Sequence, residues 1–305
     1  MALVASAARR EYAGVGTLVA GGPGRIVVGV DESRAARNAV LWAAAAAWLH
    51  GWDLIIAHVV PTTGHAHGSG VAVAREHLLN ASAAAASQRA PNVVVGTLLL
   101  RGAPSEELVR LSNAAMVVVL GVDAARPRAD YGALGSVEDR VVVHARCPVV
   151  TVSHPPRVGY DDGGKVVAAW TPGTTSRQVL EIAALEATLE WGTLSVVAGA
   201  PKDRDGQRPI PSSYEGSLAK ELRELADRYP RLPCVVSRGT EDLAGAVSRA
   251  SVDADLVVMA CDVSCPMEYQ NWTPHRNGDA SDGLHHLVHQ CGNPTLGRYS
   301  DTERP

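Results

Sequence analysis

An internal repeat restricts the fold of this chain more narrowly than any other feature of its sequence. The segment GRIVVGVDES begins at Gly24 and the segment GKVVAAWTPG begins at Gly164, so each places an apolar run directly before a polar turn. The apolar runs that begin at Leu54 and Leu194 keep the same offset of 140 residues. A spacing that is maintained over this length indicates a duplicated structural unit.

Within each copy, apolar runs of strand length alternate with Ala- and Leu-rich helical segments. The first predicted helices of the two copies span 33–50 and 174–191, and Ser33 and Thr174 are suitable N-cap residues. Helical spacing marks the face of the first helix that packs on the sheet: Val40, Ala43, Ala44 and Ala47. The strands are almost continuously apolar, which is typical of a parallel sheet covered on both faces. We therefore predict an α/β protein with two doubly wound domains.

The repeat also sets the domain boundaries. Residues 1–23 are expected to be a flexible N-terminal tail, 24–152 the first domain and 164–305 the second. Between them, the segment SHPPRVGYDDG at 153–163 contains two prolines and two glycines that interrupt regular structure, so it is interpreted as a linker.

Composition excludes several classes of protein. The formal net charge is −4 and the pI is about 6.3, whereas domains that bind phosphate backbones are strongly basic, so no nucleic-acid partner is expected. No apolar run approaches the roughly 20 residues that span a bilayer, so no membrane partner is expected either. The chain shows no secretory signal, and its five cysteines are an odd number. We therefore predict a cytoplasmic protein with reduced thiols.

Candidate binding residues lie where the predicted strands of the first copy end. In an open parallel sheet, ligands bind beyond the carboxyl ends of the strands, where the strand order reverses. Asp31 and Val59 follow two of these strands, and Gly135 with Ser136 opens the helix predicted from Val137. Backbone amides at a helix N-terminus suit a phosphate, and a carboxylate suits ribose hydroxyls or a hydrated Mg²⁺. For Asp31, an ordinary Asx turn that caps a helix is an equally good interpretation.

Several motifs in this order resemble the universal stress protein family. They are VVGVDES at Val27, HVV at His58, RGAPSEELV at Arg101, VVVLG at Val117 and GSVEDRVVVHARCPVVTV at Gly135. The resemblance covers most of the first copy and is weaker in the second. It implies a Rossmann-like fold of the adenine-nucleotide α-hydrolase type, with a five-stranded parallel sheet in each domain.

The resemblance also implies an ATP site in the first copy, with Mg²⁺ as a possible companion. ATP-binding members of the family carry an Asp after the first strand and a loop of pattern G-x2-G-x9-G-[S/T]. In this sequence Ala124 occupies the second glycine position, and ten residues separate it from Gly135, so the phosphate loop departs from the pattern. Arg126 and Arg128 could compensate by pairing with phosphate oxygens. The cofactor-binding positions implied in this way are Gly29, Val30, Asp31, Val59, Leu120, Gly121, Ala124, Gly135, Ser136 and Val137.

The second copy lacks every one of these signature residues. With Pro294 aligned to Pro148, Thr171 occupies the Asp position, Cys261 the first Gly position and 281–282 the Gly-Ser position. We therefore predict no nucleotide in the second copy.

By the same alignment, the position of the last strand falls at 294–298 in the second copy, and there the strand is eroded. Its sequence, PTLGR, lacks the valines of PVVTV at 148–152. Because the family usually pairs its domains through this strand, the alignment leaves the pairing of the two copies open.

A group of cysteines and histidines in the second copy is the remaining candidate for chemistry. On a predicted helix, His285 and His289 would share one face, and Cys261 and Cys265 are separated by three residues, close to a zinc-ligand spacing. The spacings match no zinc-finger pattern, so no metal is predicted. The members of the group are Cys261, Cys265, His275, His285, His286, His289 and Cys291.

The leading functional hypothesis is a non-enzymatic stress-response regulator that binds ATP in its first domain. Its expected partners are the adenine nucleotide, a second copy of the chain in a homodimer and an unidentified protein. A nucleotide-free scaffold that acts through protein–protein contacts is one alternative, and a weak ATPase is another. The sequence contains no Walker loop, and no catalytic Ser-His-Asp or Cys-His set can be assembled from it.

Overall fold

The computed structural model contains two α/β units that are built in the same order. It describes residues 24–62, 69–122, 137–156, 164–173, 175–190, 192–199, 212–238, 243–261 and 285–290. The first copy consists of β1 (Arg25–Gly29), α1 (Arg34–His50), β2 (Asp53–Val60), α2 (Ser69–Arg89), β3 (Val95–Arg101), α3 (Pro104–Ser112), β4 (Val117–Gly121), α4 (Val137–His144) and β5 (Val149–Val152). The second copy consists of β6 (Lys165–Trp170), α5 (Ser176–Leu189), β7 (Thr193–Ala198), α6 (Ser212–Arg228), β8 (Cys234–Arg238), α7 (Leu243–Ala250), β9 (Leu256–Cys261) and β10 (His285–Gln290).

The strands form one ten-stranded sheet in the order β3-β2-β1-β4-β5-β10-β9-β6-β7-β8. Within the first copy all neighbouring strands are parallel, and the order reverses between β1 and β4. The second copy repeats this order from β6 to β9, and β10 lies parallel to β9. The predicted α/β class with two doubly wound units is confirmed.

The two copies are joined by an antiparallel pair of strands. β10 pairs with β5, with His285 opposite Val152 and Val288 opposite Val149. The strand beside β9 is formed by 285–290, which sequence analysis interpreted as part of a helix, and 294–298 lies outside the described residues. The backbone of β5 offers a row of donors and acceptors, which the segment HHLVHQ satisfies as a strand.

This strand also corrects the helical interpretation of the histidines. His285 and His289 belong to an extended segment, where four residues span roughly 13 Å. Among the described residues, no group of three His, Cys, Asp or Glu side chains could hold a metal ion.

Helix α1 forms as the sequence predicts. The Ser33 side chain accepts a hydrogen bond from the Ala36 amide at 3.0 Å, which caps the N-terminus. Gly51 ends the helix in the left-handed conformation, with φ of 66°. The predicted apolar stripe is confirmed, because its four members are all buried against the sheet: Val40, Ala43, Ala44 and Ala47.

Helix α5 begins two residues later than predicted. It starts at Ser176, and Thr175, not Thr174, is its N-cap. The Thr175 side chain makes no capping hydrogen bond. Two adjacent threonines are equivalent as cap candidates in sequence, so only the backbone path distinguishes them.

None of the helices in the described part of the chain is long and apolar enough to cross a bilayer.

One face of the sheet buries a core that is continuous through both copies. Side chains of β5 and β6, including Val150 and Val166, belong to the same cluster of buried residues as the apolar faces of α1 and α5. On the opposite face, each copy has its own smaller cluster. The two copies therefore share their larger core, and the hydrophobic effect stabilises them jointly.

A contact between two side chains also links the copies. His50 at the end of α1 contacts Glu186 in α5, with 3.1 Å between Nε2 and Oε1. The imidazole ring stacks on Trp52, with 4.1 Å between ring centroids. Only 6% of the His50 side chain and 16% of the Glu186 side chain are exposed, so this contact is largely shielded from solvent.

A second carboxyl near this contact is held in its protonated form. Burial, together with the negative charges of Glu186 and Asp255, raises the pKa of Glu190 from 4.5 to about 8. The Glu190 Oε2 atom is buried without a hydrogen-bond partner among the described residues. Because the unfolded chain releases this proton near pH 4.5 and the folded chain near pH 8, the unfolded state binds fewer protons between these values. Stability is therefore lost as the pH rises through this window.

Glu190→Gln is expected to remove this loss, because the amide cannot ionise. At pH 8.5 the variant should be more stable than the parent by about 1–3 kcal/mol, and near pH 4 the two should be equal within error. Urea denaturation followed by circular dichroism measures both values. The control is Glu76→Gln, since Glu76 is exposed on α2. An equal effect of Glu190→Gln at both pH values would show that Glu190 does not titrate in this window.

Candidate functional site

The carboxyl ends of β1, β2 and β4 meet at the point where the strand order of the first copy reverses. Gly29 lies opposite Ala57 of β2 and opposite Leu120 of β4. This register brings part of the predicted site together at one edge of the sheet: Gly29, Val30, Asp31, Val59, Leu120 and Gly121. Val137 is the first residue of α4 and is half-buried. The other predicted positions, Ala124, Gly135 and Ser136, lie outside the described residues.

Asp31 is exposed at the end of β1 and belongs to the turn that leads into α1. Its Oδ1 atom accepts a hydrogen bond from the Ser33 amide at 2.9 Å. This is the Asx turn that the sequence offered as an alternative to ligand binding. The turn fixes the carboxylate beside the first turn of α1, where the helix dipole favours a negative charge.

Gly121 is required by packing. A Cβ atom at this position would lie 2.2 Å from the Ala35 carbonyl carbon and 2.4 Å from the Ala36 nitrogen, distances at which no side chain fits. The end of β4 therefore touches the backbone of the first turn of α1. Glycine at 121 has a structural explanation independent of a phosphate.

Gly29 and Leu120 pack against each other in the interior. A Cβ atom on Gly29 would lie 3.0 Å from Leu120 Cδ2 and 3.2 Å from Leu108, and the Leu120 side chain is buried. A ligand can therefore contact neither the Leu120 side chain nor the space beside the Gly29 Cα atom. These two residues contribute to the candidate site through their backbone and by setting the spacing of β1 and β4.

The end of β1 is held by His58, a residue that sequence reasoning did not assign to the site. The Val30 amide donates to the Ala57 carbonyl at 2.9 Å, and the His58 ring nitrogen Nδ1 lies 2.8 Å from the Val30 carbonyl oxygen. Because a carbonyl oxygen can only accept, Nδ1 carries the hydrogen. The motif HVV contained this residue, but only the structure shows which backbone group its ring reaches.

The second copy has an aromatic residue at the end of its first strand. Trp170 occupies the position of Val30 and is completely buried. Its indole Nε1 donates to Glu221 Oε2 at 2.8 Å, and the Ser176 hydroxyl lies 2.9 Å from Glu221 Oε1. Ala198 occupies the position of His58. Sequence reasoning noted the change at Thr171 and missed this larger one, for which a Trp at the end of an otherwise Val- and Ala-rich strand is the signal.

These features define the class of the protein: a tandem, doubly wound α/β protein whose first copy has polar and backbone groups at its topological switch point. Residues 23–153 match the model of the Universal stress protein family, so the first copy is a domain of that family.

Similarity to known members extends beyond the first copy. The chain is 28% identical to Universal stress protein Rv2005c of Mycobacterium tuberculosis, with 77% of this chain and 85% of that protein covered. It is also 28% identical to Universal stress protein Rv2623 of the same organism, with the same coverage. A universal stress protein from Archaeoglobus fulgidus has the same fold, with a TM-score of 0.65 at 14% identity, and covers 88% of this chain and 98% of its own.

Proposed function

We propose that this chain is a non-enzymatic stress-response protein that binds one ATP molecule in its first copy and none in its second. The observation that carries this proposal is the position of Asp31, whose carboxylate lies exposed at the switch point beside the open end of β1. Switch points of doubly wound sheets are where such folds bind nucleotides. Membership of the first copy in the universal stress protein family supports the same assignment.

In the proposed complex the three parts of the nucleotide meet different groups. The ribose hydroxyls donate hydrogen bonds to the Asp31 carboxylate. The adenine base forms hydrogen bonds with the backbone of Val59. The phosphates meet Gly135 and Ser136, which directly precede the first residue of α4, so that the N-terminal amides of the helix face the negative charge. The Asp31 carboxylate would hold a bound Mg²⁺ at this edge.

The second copy is proposed to be silent because it lacks the groups that would bind the nucleotide. The Trp170 indole is buried and hydrogen-bonded to Glu221, and Thr171 provides no carboxylate.

A nucleotide-free scaffold is the second candidate, and two observations favour it. Packing against Ala35 alone explains Gly121, and the turn to Ser33 alone explains Asp31. In that case the duplicated unit would act through protein contacts. The cytoplasmic location, the homodimer and the protein partner are part of either proposal. Because β5 already pairs with β10 within the chain, a homodimer would form through another surface.

Asp31→Ala tests the proposed site. The variant removes the carboxylate that accepts the ribose hydroxyls, and hydrogen bonds to a charged group contribute about 1.5–3 kcal/mol, so ATP should bind about 10- to 100-fold more weakly. Titration calorimetry with ATP measures this change. Asp31→Asn keeps the Asx turn without the charge, and Glu32→Ala removes an adjacent exposed carboxylate as the control. Unchanged ATP affinity in Asp31→Ala, or no binding by the parent protein, would favour the scaffold.

A further inference from the structure

The His58 side chain interrupts the hydrogen-bond ladder between β1 and β2. In this ladder the Val30 amide donates to the Ala57 carbonyl. In a parallel ladder, one residue bonds to two residues of the neighbouring strand that are two positions apart: its amide donates to the first and its carbonyl accepts from the second. Since the Val30 amide donates to Ala57, the Val30 carbonyl would be expected to accept from the Val59 amide. Among the described residues, that carbonyl accepts from the His58 ring at 2.8 Å instead, and not from the Val59 amide.

This interruption has two consequences for the edge of the sheet. The amide and carbonyl of Val59 point toward the side that β1 has just left, since alternate residues of a central strand face opposite neighbours. At the same time the Val30 carbonyl is fixed, which sets the direction in which the chain leaves the strand toward Asp31 and the Ser33 turn. One side chain thus determines both the backbone edge of Val59 and the placement of the Asp31 carboxylate.

We propose that His58 is a positioning residue for nucleotide binding: its imidazole holds the Val30 carbonyl so that the Val59 backbone remains open to the adenine base and Asp31 is directed toward the ribose. This inference rests on the proposed ATP site of the first copy. His58 itself does not contact the nucleotide; it acts through Val30.

The second copy is consistent with this role. Its equivalent of His58 is Ala198, which has no donor to hold a carbonyl, and its strand continues through Trp170, whose partner in the ladder is Ala198. The copy without the imidazole is the copy in which the ladder runs one residue further. The ladder therefore ends one residue earlier in the copy whose side chain donates to the strand-end carbonyl.

Three substitutions separate the hydrogen bond from the bulk of the ring. His58→Ala removes the donor, and the loss of one well-placed hydrogen bond at a binding site is expected to weaken ATP binding about tenfold. His58→Asn places an amide nitrogen at the same number of bonds from the backbone as Nδ1, so it should restore affinity to within about threefold of the parent. His58→Gln places its nitrogen one bond further out and should resemble His58→Ala. Titration calorimetry with ATP measures all three.

A measurement without nucleotide tests the geometry separately. Hydrogen exchange of the Val59 amide, followed by NMR, should be fast in the parent protein and about tenfold slower in His58→Ala, because the released Val30 carbonyl can accept the Val59 amide. His58→Asn should exchange like the parent, and His58→Gln replaces His58→Ala in both measurements if that variant does not fold.

The outcomes distinguish this inference from the proposed function. If the parent binds ATP, Asp31→Ala binds it more weakly, and His58→Ala binds it as tightly as the parent, then the positioning role is wrong and the ATP site stands. Equal ATP affinities of His58→Asn and His58→Gln, or unchanged Val59 exchange in His58→Ala, would also overturn it. If the parent binds no ATP while Val59 exchange responds as expected, then the proposed function fails and the His58 contact alone stands.

Discussion

Trp170→Ala should lower the free energy of unfolding by about 3–5 kcal/mol, the usual cost of deleting a fully buried aromatic side chain. Trp170 is completely buried in the core that both copies share, so its removal leaves a cavity bounded by α5 and the sheet. The same substitution leaves Glu221 without the indole donor that lies 2.8 Å from its carboxylate. Loss of a partner for a partly buried carboxylate adds to the cost.

The chain offers a matched control for this substitution. Trp48 is the same residue type in α1, but 58% of it is exposed, so Trp48→Ala should change stability by no more than about 0.5 kcal/mol. Trp170→Phe retains most of the ring volume without the N–H group and should fall between the two. Guanidinium denaturation at pH 7 measures all three variants. If the Trp170→Ala protein were no less stable than the Trp48→Ala protein, then the Trp170 side chain would not be packed in the shared core.

Gly121→Ala should have the second largest effect, because it forces a methyl group into the backbone of α1. The added carbon would lie 2.2 Å from the Ala35 carbonyl carbon, so either β4 or the first turn of α1 must move. Overpacking of this kind costs about 1–3 kcal/mol. Since the first turn of α1 carries the Ser33 and Asp31 contacts, the movement should also weaken ATP binding.

The opposite sign is expected for a glycine with open surroundings. Gly216 lies exposed within α6, and no atom lies within 4 Å of the place its Cβ would take. Gly216→Ala should therefore stabilise the protein by about 0.5–1 kcal/mol, the helix preference of Ala over Gly. Thermal unfolding of the two variants measures the contrast. A Gly121→Ala protein as stable as the parent would contradict the close approach of β4 to the first turn of α1.

The fold could be predicted from the sequence because local pattern and repeat indicated the same answer. The Val-rich runs predicted parallel strands, and the 140-residue offset predicted two units in one order. Ser33 was identified as an N-cap because its side chain and the apolar stripe after it are both local signals. Such features depend on residues that are close together in the chain.

The errors arose where distant residues decide the structure. The choice of 285–290 as the strand beside β5 depends on a partner more than 130 residues earlier, and the alignment of Pro294 with Pro148 contained no information about that pairing. His58 and Trp170 were missed for the same reason, since their partners at Val30 and Glu221 are 28 and 51 residues away. Gly121 was found, but sequence could not separate its packing role from a ligand role.

The central claim is that one copy binds a nucleotide and the other does not. It is tested most directly by denaturing the purified protein and quantifying the released nucleotides by mass spectrometry, after saturation with ATP and removal of the excess. We predict about one ATP per chain for the parent and close to none for Asp31→Ala. Two ATP molecules per chain would contradict the silent second copy, and none would contradict the ATP site itself.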